Sequence, residues 1–248
     1  MRRRSRWLGV PAALAVLLAA GAAWAGPPFV TDDPEPTDTG HWENYAFVSG
    51  SNALGSTSGE AGFDLNYGAY RDVQLTMVIP ADFIRGAQNQ AGLGDVELAA
   101  KFKLLHQKDG AWTPDVAVFP RLFIPTAGHG FGSGRVGLLL PVWAGKDFGP
   151  WSVFGGGGYD INPGPGQRSF WLSGLAVQRT ITDRLALGVE VYHQTPDATD
   201  AKPYTGVNFG LTYRLVEHWS LLAAGGPGVQ NAREGGGCDF YLALKADY

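Results

Sequence analysis

The sequence predicts an all-β chain folded as a transmembrane antiparallel up-and-down β-barrel of twelve strands, with short periplasmic turns and longer extracellular loops. Three observations carry this expectation. Apolar and polar residues alternate with a period of two in segment after segment. The connections between segments are short and long by turns, an asymmetry typical of barrels that span an outer membrane. The polar faces hold charges that a closed dry core would not accept, because an unpaired buried charge costs several kcal/mol.

Composition agrees. Glycine accounts for 36 of 248 residues, about twice the usual ~7 %, and aromatic residues are abundant while methionine is scarce. Beyond the first segment there is no run of about 18 apolar residues that could form a transmembrane helix. A single cysteine, Cys238, excludes an internal disulfide.

Arg2, Arg3, Arg4 and Arg6 precede an apolar run over 7–23, which ends in Ala23-Trp24-Ala25. That is the pattern of a secretory signal peptide over residues 1–25, with the mature chain beginning at Gly26. The mature chain then has 15 basic and 23 acidic residues, a net charge of −8. Such acidity excludes nucleic acid as an expected partner, since phosphate binding needs a basic face.

Residues 26–40 contain four prolines in Gly26-Pro-Pro-Phe-Val-Thr-Asp-Asp-Pro-Glu-Pro, which remove donors and restrict their neighbours. The segment is expected to be an extended acidic arm, either solvated or tucked into the barrel mouth as a plug. Its candidate residues are Pro28, Asp32, Asp33 and Glu35. These carboxylates lack the turn-forming glycine of a calcium loop, so no metal and no cofactor is expected.

The barrel itself is expected over 41–248, in segments near 42–49, 61–70, 72–80, 95–105, 114–124, 135–145, 151–160, 169–180, 185–194, 204–215, 219–226 and 238–248. Tight turns fall at 71–72, 107–110, 146–150, 182–184 and 216–218, and longer loops at 50–60, 81–94, 125–134, 161–168, 195–203 and 227–237. By parity the lumen receives six basic and six acidic residues, a balance that predicts little ion selectivity. Candidate pore-lining residues among them are Asp64, Glu97, Lys101, Arg121, Glu190 and Arg214. The others are Lys103, Asp115, Arg135, Asp239, Lys245 and Asp247. Aromatic residues near segment ends, including Trp42, Tyr45, Trp143, Trp171, Tyr192, Tyr204 and Trp219, suit interfacial girdles.

The final segment sets Phe240, Leu242, Leu244 and Tyr248 on one face, alternating with Asp239, Lys245 and Asp247 on the other. It resembles the C-terminal signal of bacterial outer-membrane barrels, and is expected to be the closing strand, paired with 42–49. The implied partners are outer-membrane lipids, the barrel-assembly machinery during biogenesis and a small-molecule solute.

The arm motif and the following His41-Trp42-Glu43 resemble a proteobacterial outer-membrane family named for the MetA pathway of phenol degradation. The resemblance implies a small barrel that passes hydrophobic or aromatic compounds across the outer membrane; it carries over no site residue.

Catalytic chemistry finds little footing. His129 near Ser133 lies in no Gly-x-Ser-x-Gly elbow. His193 falls on the outward parity of its strand, and His41, His106 and His218 have no metal-ligand spacing. The run Gly155–Gly158 precedes no helix, so it is expected to mark close packing at the wall rather than a phosphate cradle. The expected function is passive passage of small, hydrophobic or aromatic molecules, without enzymatic activity. A lipid-modifying hydrolase and a structural or adhesive barrel are the alternatives.

Overall fold

A computed structural model describes residues 28–86, 89–128, 130–232 and 237–248. The expected signal peptide, Gly26, Pro27 and His129 lie outside these residues. The strands are β1 (Trp42–Ala53), β2 (Ser56–Tyr70), β3 (Val73–Arg85), β4 (Gln90–Leu93), β5 (Val96–Leu105), β6 (Asp115–Val118), β7 (Arg121–Ile124), β8 (Gly137–Phe148), β9 (Trp151–Ile161), β10 (Phe170–Thr182), β11 (Leu185–Gln194), β12 (Tyr204–Val216), β13 (Trp219–Gln230) and β14 (Cys238–Asp247).

Fourteen segments make twelve staves, because β4 and β5 both pair with β3, while β6 and β7 both bridge β5 and β8. The first break is Gly94-Asp95, where Thr126 steps in: the Val96 amide donates to Thr126 Oγ1 at 2.9 Å. The second is Phe119-Pro120, where proline has no N–H to give the ladder. All neighbouring staves are antiparallel, and β1 pairs with β14 from Glu43↔Asp247 to Asn52↔Cys238, which closes the barrel. The Trp42 amide also donates to the Tyr248 carbonyl at 2.7 Å, and the Tyr248 amide to the Trp42 carbonyl at 3.0 Å.

Burial along the strands is inverted relative to a soluble protein. In β3, Leu75, Met77 and Ile79 are 49 %, 37 % and 40 % exposed, whereas Gln74 and Thr76 between them are 6 % exposed. The apolar face therefore looks outward, as lipid requires, and the polar face lines the lumen. Trp42, Phe148, Trp151, Trp219 and Tyr248 are exposed at the turn end of the barrel, and Tyr159 and Trp171 at the loop end, where indole and phenol rings suit the two interfaces.

Three expectations need correction. The loop expected at 50–60 is strand almost throughout: β1 and β2 stay in register to Ala53↔Ser56, and the turn is Leu54-Gly55, both at positive φ. Glycine and serine there made a strand look like a loop. In the opposite sense, the tight turn expected near 107–110 is part of a longer connection spanning 106–114. Finally, Tyr45, Trp143, Tyr192 and Tyr204 do not join a girdle; they are buried inside the barrel. Trp143 lies opposite Gly156, whose missing side chain leaves room for the indole; a Cβ there would stand 3.1 Å from the ring.

Candidate functional site in the lumen

The arm lies inside the barrel. From its β1 end inward, the Thr37 amide and hydroxyl both donate to Gln74 Oε1, at 2.8 and 3.1 Å. Gln74 is held in turn by Asn66 and Thr76, to which its Nε2 donates at 2.7 and 2.9 Å. Next, Lys103 Nζ bridges Glu35 and Asp115. Lys101 Nζ donates to the backbone carbonyls of Asp33 and Glu35 at 3.0 and 3.2 Å and reaches Asp32 Oδ1 at 3.2 Å. At the far wall Glu190 accepts the Val30 and Thr31 amides at 3.0 and 2.9 Å. An arm rich in proline cannot pair as a strand, so lumenal side chains satisfy its backbone instead.

Small residues make the space. A Cβ on Gly210 would meet Phe29 at 2.5 Å, one on Gly174 would meet Thr31 Oγ1 at 2.0 Å, and one on Gly145 would meet Pro34 at 2.9 Å.

Above the arm is a chamber of about 640 Å³. Its floor is Pro28, Phe29, Val30, Asp32 and Glu35. One wall, from β1 to β7, carries Glu60, Asp64, Asp82, Glu97, Lys101 and Arg121, with Asp95 between β4 and β5. The other, from β10 to β14, carries Leu172, Tyr192, Asn208, Asp239 and Tyr241. Arg121 forks onto Glu97, with Nε and one terminal nitrogen at 2.7 and 2.8 Å from the two carboxylate oxygens. The Phe119 ring centroid lies 4.9 Å from Lys101 Nζ and 5.6 Å from Arg121 Cζ. Across the chamber, Tyr192 and Tyr204 both donate to Asp239 Oδ2, at 2.5 and 2.9 Å.

Of the pore-lining candidates, Asp64, Glu97, Lys101 and Arg121 border this chamber, and Glu190 sits beneath it, holding the arm. Arg214 does not belong with them. It follows lumen parity but lies at the turn end of β12, exposed, beside a register shift at 214–216 and bonded to the Asp183 carbonyl. Arg135 is likewise exposed, outside the strands. The expected charge balance also fails in the chamber, where nine carboxylates stand against two cations. Lys103 and Lys245 are instead engaged below, by Glu35 and Asp115 and by Glu43 and Asp247.

Two lining residues were outside the expected segments: Glu60 and Asp82 fell in presumed loops. A signal existed for both, since Asp82 continues the parity of Gln74, Thr76 and Val78, and Glu60 that of Asp64. The arm candidates Asp32, Asp33 and Glu35 all meet Lys101 or Lys103, and Pro28 packs by Gly210. In the closing strand Leu242, Leu244 and Tyr248 are exposed outward, and Phe240 pairs opposite Gly50.

The barrel is similar to a solved outer-membrane channel. The COG4313 outer membrane channel from Pseudomonas putida F1 superimposes with a TM-score of 0.69 at 16 % identity, over 87 % of this chain and 97 % of that one. Outer membrane phospholipase A from Escherichia coli, as an active-site mutant, matches at a TM-score of 0.49 and 13 % identity, over 90 % and 94 % of the two chains. No protein-family profile and no curated protein sequence matches the chain. The likeness to the channel shows the fold, a closed β-barrel of the kind found in bacterial outer-membrane proteins.

Of the two histidines considered for catalysis, His193 lies among the described residues. Its Nδ1 lies 2.8 Å from Thr205 Oγ1, which itself donates to Gln230 Oε1 at 2.8 Å. This is a polar ladder across β11, β12 and β13, with the hydroxyl directed to an amide oxygen rather than held for attack.

Proposed function

We propose that the barrel is a channel for passive passage of small, hydrophobic or aromatic molecules, and that residues 28–38 are its gate. One observation carries this reading: the floor of the chamber is a separate segment, not part of the wall. Residues 28–38 cross the lumen without joining the sheet, and side-chain hydrogen bonds and ion pairs hold them there. Such a floor can leave while the barrel stays closed, because the β1–β14 seam does not depend on it. The similarity of the fold to the Pseudomonas putida channel and the resemblance of the arm motif to the phenol-degradation family support the same reading.

The test is solute flux into proteoliposomes, comparing the mature chain with a Glu190→Ala, Lys101→Met double variant. Release of the arm should raise flux of small aromatic solutes several-fold. Absence of flux in both proteins, with the variant's arm shown to be displaced, would sink the channel and favour a structural barrel.

A further inference from the structure

Resting on the channel reading, we infer that the chamber selects aromatic amines: a single ring carrying a protonated amino group. The chamber brings together three features. The first is charge: of nine bordering carboxylates, Glu97, Asp32, Glu35 and Glu43 pair with Arg121, Lys101, Lys103 and Lys245, and Asp239 accepts two phenols. Four carboxylates remain on the upper acidic wall, from Glu60, Asp64, Asp82 and Asp95. Asp64 receives an Asn66 N–H at 2.9 Å and Asp95 the Ala127 amide at 3.0 Å. Asp82 has neither a hydrogen bond nor an ion pair among the described residues. A low-dielectric wall lined by one sign of charge concentrates the opposite ion.

The second feature is a buried acceptor on the other wall. Asn208 is 4 % exposed and borders the chamber. Its amide nitrogen donates to Glu190 Oε1 at 2.9 Å, and its carbonyl oxygen has no partner among the described residues. An unpaired buried acceptor calls for a donor, as the carboxylates do.

Aromatic surface is the third. Eight rings border the chamber, among them Phe29 in the floor, Phe119 on the acidic side and Tyr241 by the seam. Phe119 already has an ammonium and a guanidinium group within 6 Å of its ring centroid, the range in which rings stabilise such cations. A volume of 640 Å³ suits a small ligand. An aromatic carboxylate of the same size would meet the acidic wall with like charge.

The test uses the full mature protein in detergent at neutral pH, with benzylammonium, benzyl alcohol and benzoate as probes and binding read by calorimetry. Benzylammonium should bind about tenfold more tightly than the alcohol, with benzoate weakest. Asp82→Asn with Glu60→Gln should abolish the preference while leaving the heat-modifiable migration of a folded barrel. Should that variant fail to fold, added salt supplies the second measurement, weakening benzylammonium but not benzyl alcohol. Equal affinities, a preference for benzoate, salt-insensitive benzylammonium binding or a preference surviving in the folded double variant would each overturn the inference. If no probe binds while proteoliposomes still pass solutes, the selectivity falls and the channel stands. A preference without flux under any condition keeps the selectivity and overturns the channel.

Discussion

Glu190 and Thr31 are 159 residues apart in the chain, yet the Thr31 amide donates to Glu190 Oε2 at 2.9 Å in the middle of the barrel. The other oxygen of the same carboxylate takes the Val30 amide at 3.0 Å. One wall residue thus holds the inner end of the arm with two charge-assisted hydrogen bonds.

Replacing Glu190 by Ala should loosen that end. Hydrogen bonds to a charged group contribute about 2 kcal/mol, so the undocked arm should become roughly 30-fold more populated. Hydrogen exchange at the Val30 and Thr31 amides measures this directly and should accelerate by that factor, with strand amides unchanged.

Two glycines should behave in opposite ways. The three atoms nearest a Cβ on Gly210 all belong to the arm, at Phe29 and Pro28. Gly210→Ala should therefore displace the arm and raise solute flux, with little change in barrel stability. A Cβ on Gly226 would meet the Val207 carbonyl at 1.9 Å, a wall contact that cannot yield cheaply. Gly226→Ala should lower the unfolding midpoint in urea and leave arm exchange protected.

The Arg121 fork onto Glu97 should be costly to break from one side. Arg121→Met strands a buried carboxylate and should destabilise the barrel by about 3 kcal/mol, seen as a lower urea midpoint. Restoring neutrality with Glu97→Gln in the same chain should recover much of the loss, which a double-mutant cycle would show.

Deleting Tyr248 removes both backbone bonds to Trp42 and the bond from Asn44 Nδ2 to its phenol at 2.8 Å. The yield of folded barrel should drop several-fold in assembly assays. Molecules that do fold should keep wild-type flux, because Tyr248 is exposed outside the lumen.

The wall was legible in the sequence because lipid outside and water inside enforce a period of two. Leu75, Met77 and Ile79 against Gln74 and Thr76 show it plainly. What misled was composition at the loop end. Residues 50–60 are rich in glycine and serine yet stay paired, since a hairpin needs only Leu54-Gly55 to turn. Cutting the strands there hid Glu60, and stopping β3 at Pro80 hid Asp82. Tyr45, Trp143, Tyr192 and Tyr204 looked interfacial because girdle and lumen rings have the same composition; only parity separates them. The arm's place was not legible, because Glu190 and Gln74 meet it through contacts with no periodicity.

The arm is pinned at Gln74 on the third of twelve staves and at Glu190 on the ninth, so it spans a diameter. It is placed as a strut between opposite walls. A thin hollow cylinder flattens easily under sideways pressure from the surrounding lipid, and a strut fixed at opposite walls keeps its cross-section round. When the strut leaves, the ring is free to become oval, and the loops at the far rim would register the change in shape.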